Sequence, residues 1–453
     1  MKAQPAIKSY FFEKGYKDLW ETIRTSWRYN IESAESHFEK ASDAETWFGK
    51  IMYFTAGLSV VVFGTAFFIV ISFLHITVLI FFFFIIYLVF TLIWAIDASY
   101  RAKNKIFTAC PNPGCYKKSI LPVYHCPKCN AEHDSLWPSE YGILKRTCKC
   151  GEELPTTFFN GRSKLKASCP SCKNTIESLE ARPVVIPIIG APSVGKTFFV
   201  FSMVYYIKEL LTKKTGHKFE FMNPYNETVY NSEISTLNSG QTLRKTTENN
   251  PIALNFFLSK NGSKMLMFFY DSAGEAFSST QHLSQHKFYD YFHGLIFIID
   301  PFSIPEIHGQ YKNQLSANTS IRPSNYPLED VYDASIINLE KNYGFKVTEK
   351  ITKPVAILFS KSDAFDLQSK IGKEAVEKLL ASDNTIKTKQ EAMNKLCKDF
   401  LSSNGMDALL RKMEWKFPNS SYFAVSSGGR NSIGIDNATN WILSKIDKSY
   451  SIN

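Results

Sequence analysis

The chain has 453 residues, of which 45% are hydrophobic and 21% charged, and 52 Lys and Arg outnumber 42 Asp and Glu for a net charge of +10. That length excludes a single ordinary core and calls for two or three folded parts. The charge excludes a uniformly basic surface: residues 1–50 balance at 8 basic and 8 acidic, 183–453 hold 30 and 26, and the excess sits in 98–182, with 14 and 7.

The first 50 residues are polar, and Tyr16 to Phe48 reads as one or two helices whose aromatic residues recur at roughly helical spacing, a pattern that packing explains. Residues 51–96 then contain no Asp, Glu, Lys or Arg and include Phe81-Phe-Phe-Phe84. Two spans of about 20 residues, each roughly 30 Å long, fit this stretch with a turn near Ser72 to Ile76. The reading is a transmembrane hairpin over 51–97 rather than a buried soluble hairpin, which would carry a polar stripe. Some fifty mostly polar residues precede it, which argues against a cleaved signal peptide. Lys50 flanks one side and Arg101, Lys103 and Lys105 the other, so both tails are expected in the cytoplasm, with Trp47, Tyr53, Tyr87 and Trp94 as interfacial anchors. The basic excess after the hairpin would meet anionic lipid, with nucleic acid as the rival partner.

Eight of nine cysteines fall in four close pairs over 106–182: Cys110 and Cys115, Cys126 and Cys129, Cys148 and Cys150, Cys169 and Cys172. Short knuckles of this kind offer thiolates to two tetrahedral zinc ions, and a reducing compartment favours metal over disulfides. Pairing in chain order gives Cys110, Cys115, Cys126 and Cys129 for one site and Cys148, Cys150, Cys169 and Cys172 for the other, with an interleaved arrangement left open. A short segment with few periodic apolar runs needs such metals for its stability, so their role is structural. His125 and His133 are alternative ligands beside the knuckles, and Cys397 is a lone thiol in a helical pattern.

Over 183–453 the apolar run Val184 to Ile189 leads into Gly190-Ala-Pro-Ser-Val-Gly195-Lys196-Thr197 and then a helix-like Phe198 to Leu211. Strand, glycine loop and helix in that order form a phosphate-binding loop. The amides of Gly190, Ser193, Val194 and Gly195 would converge on phosphate oxygens, Lys196 would reach the β and γ phosphates, and the Thr197 hydroxyl would ligate Mg2+. From Asn223 to Asn250 the chain looks irregular. Ile252 to Leu258 and Met265 to Tyr270, joined at Asn261-Gly262, predict a β-hairpin.

The segment Asp271-Ser-Ala-Gly274-Glu275 resembles the D-x-x-G motif of TRAFAC-class GTPases, the branch that includes Ras-like proteins and places an antiparallel strand beside the one ending in this aspartate. By that likeness Asp271 would hold Mg2+ through water and the Gly274 amide would sense the γ phosphate. Ser360-Lys361-Ser362-Asp363, after the strand Val355 to Phe359, is similar to the N-K-x-D motif: Asp363 would accept two hydrogen bonds from guanine that adenine cannot offer, and Lys361 would lie along the base. Ser360 departs from the asparagine that braces this loop. Ser426-Ser427-Gly428, after Tyr422 to Val425, resembles the S-A-K loop that touches the guanine oxygen through its amides. Arg244-x-x-Thr247 resembles the spacing in heterotrimeric G-protein α subunits, with Thr247, or its neighbour Thr246, as the switch threonine and Arg244 as a cis-acting arginine. Glu275 stands where Ras-like proteins place the water-orienting glutamine, and repulsion between its carboxylate and the γ phosphate implies slow turnover. His282 and His286 are alternative groups for positioning water. The long segment Phe302 to Lys353, with a helix-like Leu328 to Tyr343, offers an effector or dimer surface.

The fold expected is therefore α/β: a three-layer P-loop GTPase domain with an antiparallel second strand, behind two small zinc ribbons and the membrane hairpin, with 1–50 as a helical cytoplasmic segment. Zinc ribbons fused to such a domain resemble the bacterial double-GTPase-like group, which is associated with predicted conflict or defence systems. The resemblance implies a membrane-anchored switch that binds Mg-GTP and hydrolyses it slowly to GDP until a protein effector or activating protein completes the site. The alternatives are a nucleotide-gated scaffold that hydrolyses little, its ribbons recruiting protein or nucleic acid, and a pore-forming effector whose hairpin makes a homo-oligomer.

Overall fold

The computed structural model describes residues 4–110, 115, 117–176, 181–239, 252–260, 263–271, 292–318, 321–343, 346, 348–426 and 432–450. The chain divides into two compact units, one formed by residues 1–105 and 121–170 and the other by 106–120 and 171–453.

In the first unit, helix α1 (Lys14–Asp43) packs on a helix α2 that runs without interruption over Trp47–Lys103, 57 residues including a π-helical turn at Val60–Gly64. Two spans with a turn at Ser72 to Ile76 are thus replaced by one helix. Nothing in that stretch breaks a helix: Ser72 Oγ accepts a hydrogen bond from Trp27 Nε1 of α1 at 2.8 Å, and Thr77 Oγ1 donates to the Phe73 carbonyl one turn back. The hairpin that does form joins α1 to α2.

Its seam follows a 3–4 spacing, through Ile23, Trp27, Asn30, Ala34 and Ala41 on α1. Gly57, Gly64, Thr65 and Ser72 of the apolar helix face this seam. A Cβ at Gly64 would collide with Asn30 Oδ1, one at Gly57 would lie 2.9 Å from the Phe38 ring, and Asn30 Nδ2 approaches Thr65 Oγ1 at 3.4 Å. Tyr16 meets Phe83 and Phe12 meets Tyr87 edge to face farther along. The opposite face of α2, with Phe63, Phe67, Phe73, Phe82 and Phe84, is exposed.

The end of α2 is tied down by charge. Asp97, 2% exposed, pairs with Arg101 at 3.3 Å and with the fully buried Arg162 at 3.2 Å, and its Oδ1 accepts from the Phe158 amide at 2.7 Å. Arg162 also donates to the carbonyls of Leu136 and Thr156. The start of the chain joins the same unit, since Ile7 N donates to Thr147 O and Lys149 N to Pro5 O.

The second unit carries a seven-stranded sheet. In chain order its strands are β1 (Arg182–Ile189), β2 (Lys218–Phe221), β3 (Ile252–Lys260), β4 (Ser263–Asp271), β5 (Leu295–Ile299), β6 (Val355–Phe359) and β7 (Ser420–Ala424), and they lie in the order 2-3-4-1-5-6-7. β3 is antiparallel to β4, whereas β4, β1, β5, β6 and β7 are mutually parallel. The expected antiparallel second strand is present, and β2 extends the sheet beyond it. The parallel strands are continuous apolar runs because both faces are covered. Helices α3 (Lys196–Tyr206), α4 (Pro224–Asn238), α5 (Pro305–Ala317), α6 (Leu328–Tyr343), α7 (Lys373–Ser382), α8 (Lys389–Ser403), α9 (Asp407–Lys416) and α10 (Ile435–Ile446) complete the unit. The stretch expected to be irregular after Asn223 instead begins with α4, started by an Asn223 side-chain cap on the Asn226 amide and Pro224 in the first turn. Cys397 is buried in α8, where burial pushes its thiol up.

Replacing Asp97 by Ala takes the shared carboxylate from two buried guanidinium groups and should cost about 3–5 kcal/mol in chemical unfolding of the full-length chain. Arg24→Ala, which removes an exposed pair with Glu21, should cost less than about 1 kcal/mol.

Candidate nucleotide site and two four-cysteine centres

Register places the candidate nucleotide-site segments at one edge of the sheet. Asp271 at the end of β4 lies opposite Ile188 of β1, Ile296 of β5 opposite Ile188, Phe359 of β6 opposite Ile299, and Ala424 of β7 opposite Phe359. The chain therefore leaves the sheet after Ile189, Asp271, Ile299, Phe359 and Ala424, all at the carboxyl ends of parallel strands, where ligands bind in open α/β sheets.

The loop after β1 is shaped by backbone torsion. Gly190, Ser193 and Gly195 have φ of 158°, 63° and 92°. A Cβ at Gly190 would stand 2.7 Å from the Ile298 carbonyl oxygen and 3.0 Å from Val194 Cγ2, so only glycine fits there. Successive left-handed and right-handed residues turn amides inward into an anion-binding nest at the N-terminus of α3. Lys196, buried in the first turn of α3, donates from Nζ to the carbonyls of Gly190 and Ala191 at 2.9 Å each, which puts its ammonium on the loop. Thr197 follows it, half-buried.

The loop after β6 is held from three sides. Ser360 N and Oγ both donate to Ile299 O, at 2.9 and 3.1 Å, and Ser362 N donates to Val425 O at 3.2 Å. Lys361, in left-handed backbone at φ 54°, sends Nζ to Asp300 Oδ2 and to the Arg322 carbonyl, both at 2.6 Å. Asp363 is exposed. Just beyond, Phe365 stacks on Tyr311 at 5.2 Å, and the Tyr311 hydroxyl donates to Asp366 and accepts from Lys370 Nζ. Burial, then the Asp366 carboxylate, raises the Tyr311 phenol above its ordinary range.

Ser426 is buried, and its amide and carbonyl exchange hydrogen bonds of 2.9 Å with Ile433. Its own amide is thus committed within the protein, and a donor to a guanine oxygen has to come from the residues after it. Those, Ser427 and Gly428, lie outside the described residues, as do Arg244, Thr246, Thr247, Gly274, Glu275, His282 and His286; Asp271 is described as a strand position only.

The eight paired cysteines form two groups of four, with the sulfurs of each group within 4.8 Å of one another. The pairing is nested: Cys126, Cys129, Cys148 and Cys150 form one group, and Cys110, Cys115, Cys169 and Cys172 the other. Chain order is corrected here by packing, because Cys126 and Cys148 share an apolar cluster with Leu121, Tyr124, Leu136, Leu154 and Ala167. The Cys126–Cys150, Cys129–Cys148 and Cys110–Cys172 sulfurs stand 3.6 Å apart. That is far beyond a disulfide bond of about 2.05 Å and matches the edge of a tetrahedron with metal–sulfur bonds of about 2.3 Å. In three knuckles the residue after the second cysteine is left-handed: Asn130, Gly151 and Lys173, at φ 57°, 89° and 62°. Burial pushes the Cys148 thiol up to about 12, whereas the Glu152 amide donating to Cys150 brings that thiol down to about 7.

Neither candidate histidine belongs to a cysteine group. His125 Nε2 lies 2.9 Å from Ser168 Oγ, and His133 is buried and lowered to about 4, by burial and then by the Arg146 charge. Sequence reasoning passed over Asp300, whose only signal was an acid closing the wholly apolar strand Leu295–Ile299.

A model of the Double-GTPase 2 family matches residues 184–415, from β1 through the loop after β6 into α9. No curated protein matches the chain.

Nested pairing has a stoichiometric consequence. The double variant C110S/C169S should keep about one zinc per chain on metal analysis, because both changes fall in one group; chain-order pairing would leave none.

Proposed function

The chain belongs to the Double-GTPase 2 family, and from that premise we propose that it is a membrane-associated GTP-binding switch that hydrolyses GTP slowly to GDP. The observation that carries the nucleotide reading is the convergence of the Gly190–Lys196 nest and the Asp363 loop on one edge of the sheet. The nest and Lys196 bind the phosphates, and Asp363 reads the guanine. Thr197 and Asp271 are the residues that would hold Mg2+, which neutralises charge on the β and γ phosphates when bound. Arg244, Thr247 and Glu275 are assigned to transition-state charge, the switch and the attacking water by resemblance. The Glu275 carboxylate near the γ phosphate makes unaided turnover slow, so a protein partner accelerates it.

Zinc is the metal for the two cysteine groups: four thiolates at tetrahedral spacing are its preferred structural site, and the ribbon core is small. The membrane reading rests on α2, one helix long and apolar enough to cross a bilayer. Its outer face is apolar, whereas the outer face of α1 carries Asp18, Glu21, Arg24, Arg28, Glu32 and Glu35. Such a pair presents hydrocarbon to lipid and charge to water, with the nucleotide-binding unit in the cytoplasm.

The purified full chain should release phosphate from GTP, and Lys196→Ala should lower that release about 100-fold or more. Unlabelled GTP should compete with a fluorescent guanine nucleotide far better than ATP does; equal competition, or stronger competition by ATP, would overturn guanine recognition. Deleting residues 51–96 should move the chain from the carbonate-resistant membrane pellet to the soluble fraction, and retention in the pellet would rule out α2 as the anchor.

A further inference from the structure

We infer that Asp300 is a positioning residue for base recognition: through its ion pair with Lys361 it fixes the loop that presents Asp363. The inference rests on reading that loop as the guanine-recognition element. Asp300 is 1% exposed, and each of its interactions spans a junction of the site. Oδ1 accepts from the Phe302 amide at 3.0 Å, which turns the chain leaving β5. Oδ2 accepts from the Ser324 amide at 2.8 Å and from Lys361 Nζ at 2.6 Å, which ties the segment ahead of α6 to the loop after β6. The Arg322 carbonyl receives the same ammonium.

This clamp answers the departure at Ser360. In the resembling motif an asparagine braces the loop. The Ser360 hydroxyl reaches only the Ile299 carbonyl that its own amide already uses, so it ties the loop to no segment beyond the end of β5. Lys361 meanwhile holds a left-handed backbone that a lysine rarely adopts, one residue before the Ser362–Val425 bond and two before Asp363. Pinning the lysine side chain at its far end to a buried carboxylate holds that torsion, and the torsion sets where Asp363 points. A charge-assisted bond in a buried setting is strong enough for this work.

Asp300→Asn keeps an acceptor for the Phe302 amide but sets a neutral amide against the lysine ammonium. In competition against a fluorescent guanine nucleotide with Mg2+ present, GDP should bind the full-length variant about tenfold more weakly while ADP is unchanged, the order of loss expected for one charge-assisted bond. In turnover, KM for GTP should rise while kcat stays within about twofold. Asp300→Glu, which keeps the charge, should restore part of the guanine preference.

The double variant D300N/D363A should discriminate guanine from adenine no worse than Asp363→Ala alone, because the first residue acts through the second. Additive losses in that cycle, or an unchanged GDP-to-ADP ratio in Asp300→Asn, would overturn the role of Asp300 while leaving guanine binding intact. A wild-type chain with no guanine preference would instead overturn the nucleotide reading and this inference with it.

Discussion

A loop of main-chain amides can cradle a phosphate only if the backbone is free to turn them inward, and here that freedom depends on the absence of a side chain at Gly190. Its neighbour across the sheet is the carbonyl of Ile298 in β5, 2.7 Å from where a Cβ would stand. The constraint is therefore imposed by strand packing. β1 lies between β4 and β5, and the loop leaving it has to pass close over the next strand before it reaches α3. Lys196 then folds back on the carbonyls of that loop, so amides and cation are built from one eight-residue turn. Two further parallel pairings bring the loop after β6 to the same edge, so strand register alone is enough to set the two loops side by side.

The cysteine centres solve a different problem with the same economy of local structure. The strands of this region are two or three residues long, and its apolar cluster is small. Two buried arginines do unusual structural work there. Arg146 donates to the carbonyl of Ser135 and the Ser139 hydroxyl, and Arg162 joins two loop carbonyls to Asp97 at the end of α2. Burying a guanidinium is costly unless its donors are taken, and here loop carbonyls and hydroxyls take the terminal nitrogens of both arginines, while Arg146 Nε has no hydrogen-bond partner. Four-cysteine groups able to hold a metal, together with arginine hubs, thus stand where a larger domain has extended hydrogen-bond ladders.

What was legible in the sequence was local. The strand, loop and helix at 184–211, the antiparallel pair β3 and β4, and the acidic or Ser-Lys-Ser-Asp segments closing apolar runs all carry their signal within a dozen residues, and the sheet places them as that signal implies. What was not legible depended on partners far along the chain. Nested cysteine pairing follows from an apolar cluster drawn from Leu121 to Ala167, which knuckle spacing does not encode. Asp300 gave little signal because its role is defined by Lys361, 61 residues away. The helix after Asn223 does carry local signals, an Asn cap and the Pro that follows it, set in a polar composition that masks them.

The apolar helix shows the same lesson in its sharpest form. A stretch of 46 residues without charge measures about 69 Å as one helix, more than twice the roughly 30 Å of bilayer hydrocarbon, so length alone argues for two spans. Composition along one face argues otherwise. Gly57, Gly64, Thr65 and Ser72 fall on the stripe that meets Phe38, Asn30 and Trp27, and glycines that admit close approach are spent on α1 rather than on a turn. With α1 zipped along it, α2 cannot cross a bilayer perpendicularly, because each α1 charge carried to the hydrocarbon centre would cost about 3 kcal/mol. The pair as folded is compatible with lipid only where charged and apolar faces separate, which is at the surface of a leaflet with α1 toward water. A perpendicular crossing requires α1 to leave the seam, giving up the Trp27–Ser72 bond and the Asn30 contact with Gly64. The docking of α1 is therefore the variable that decides how α2 meets a membrane.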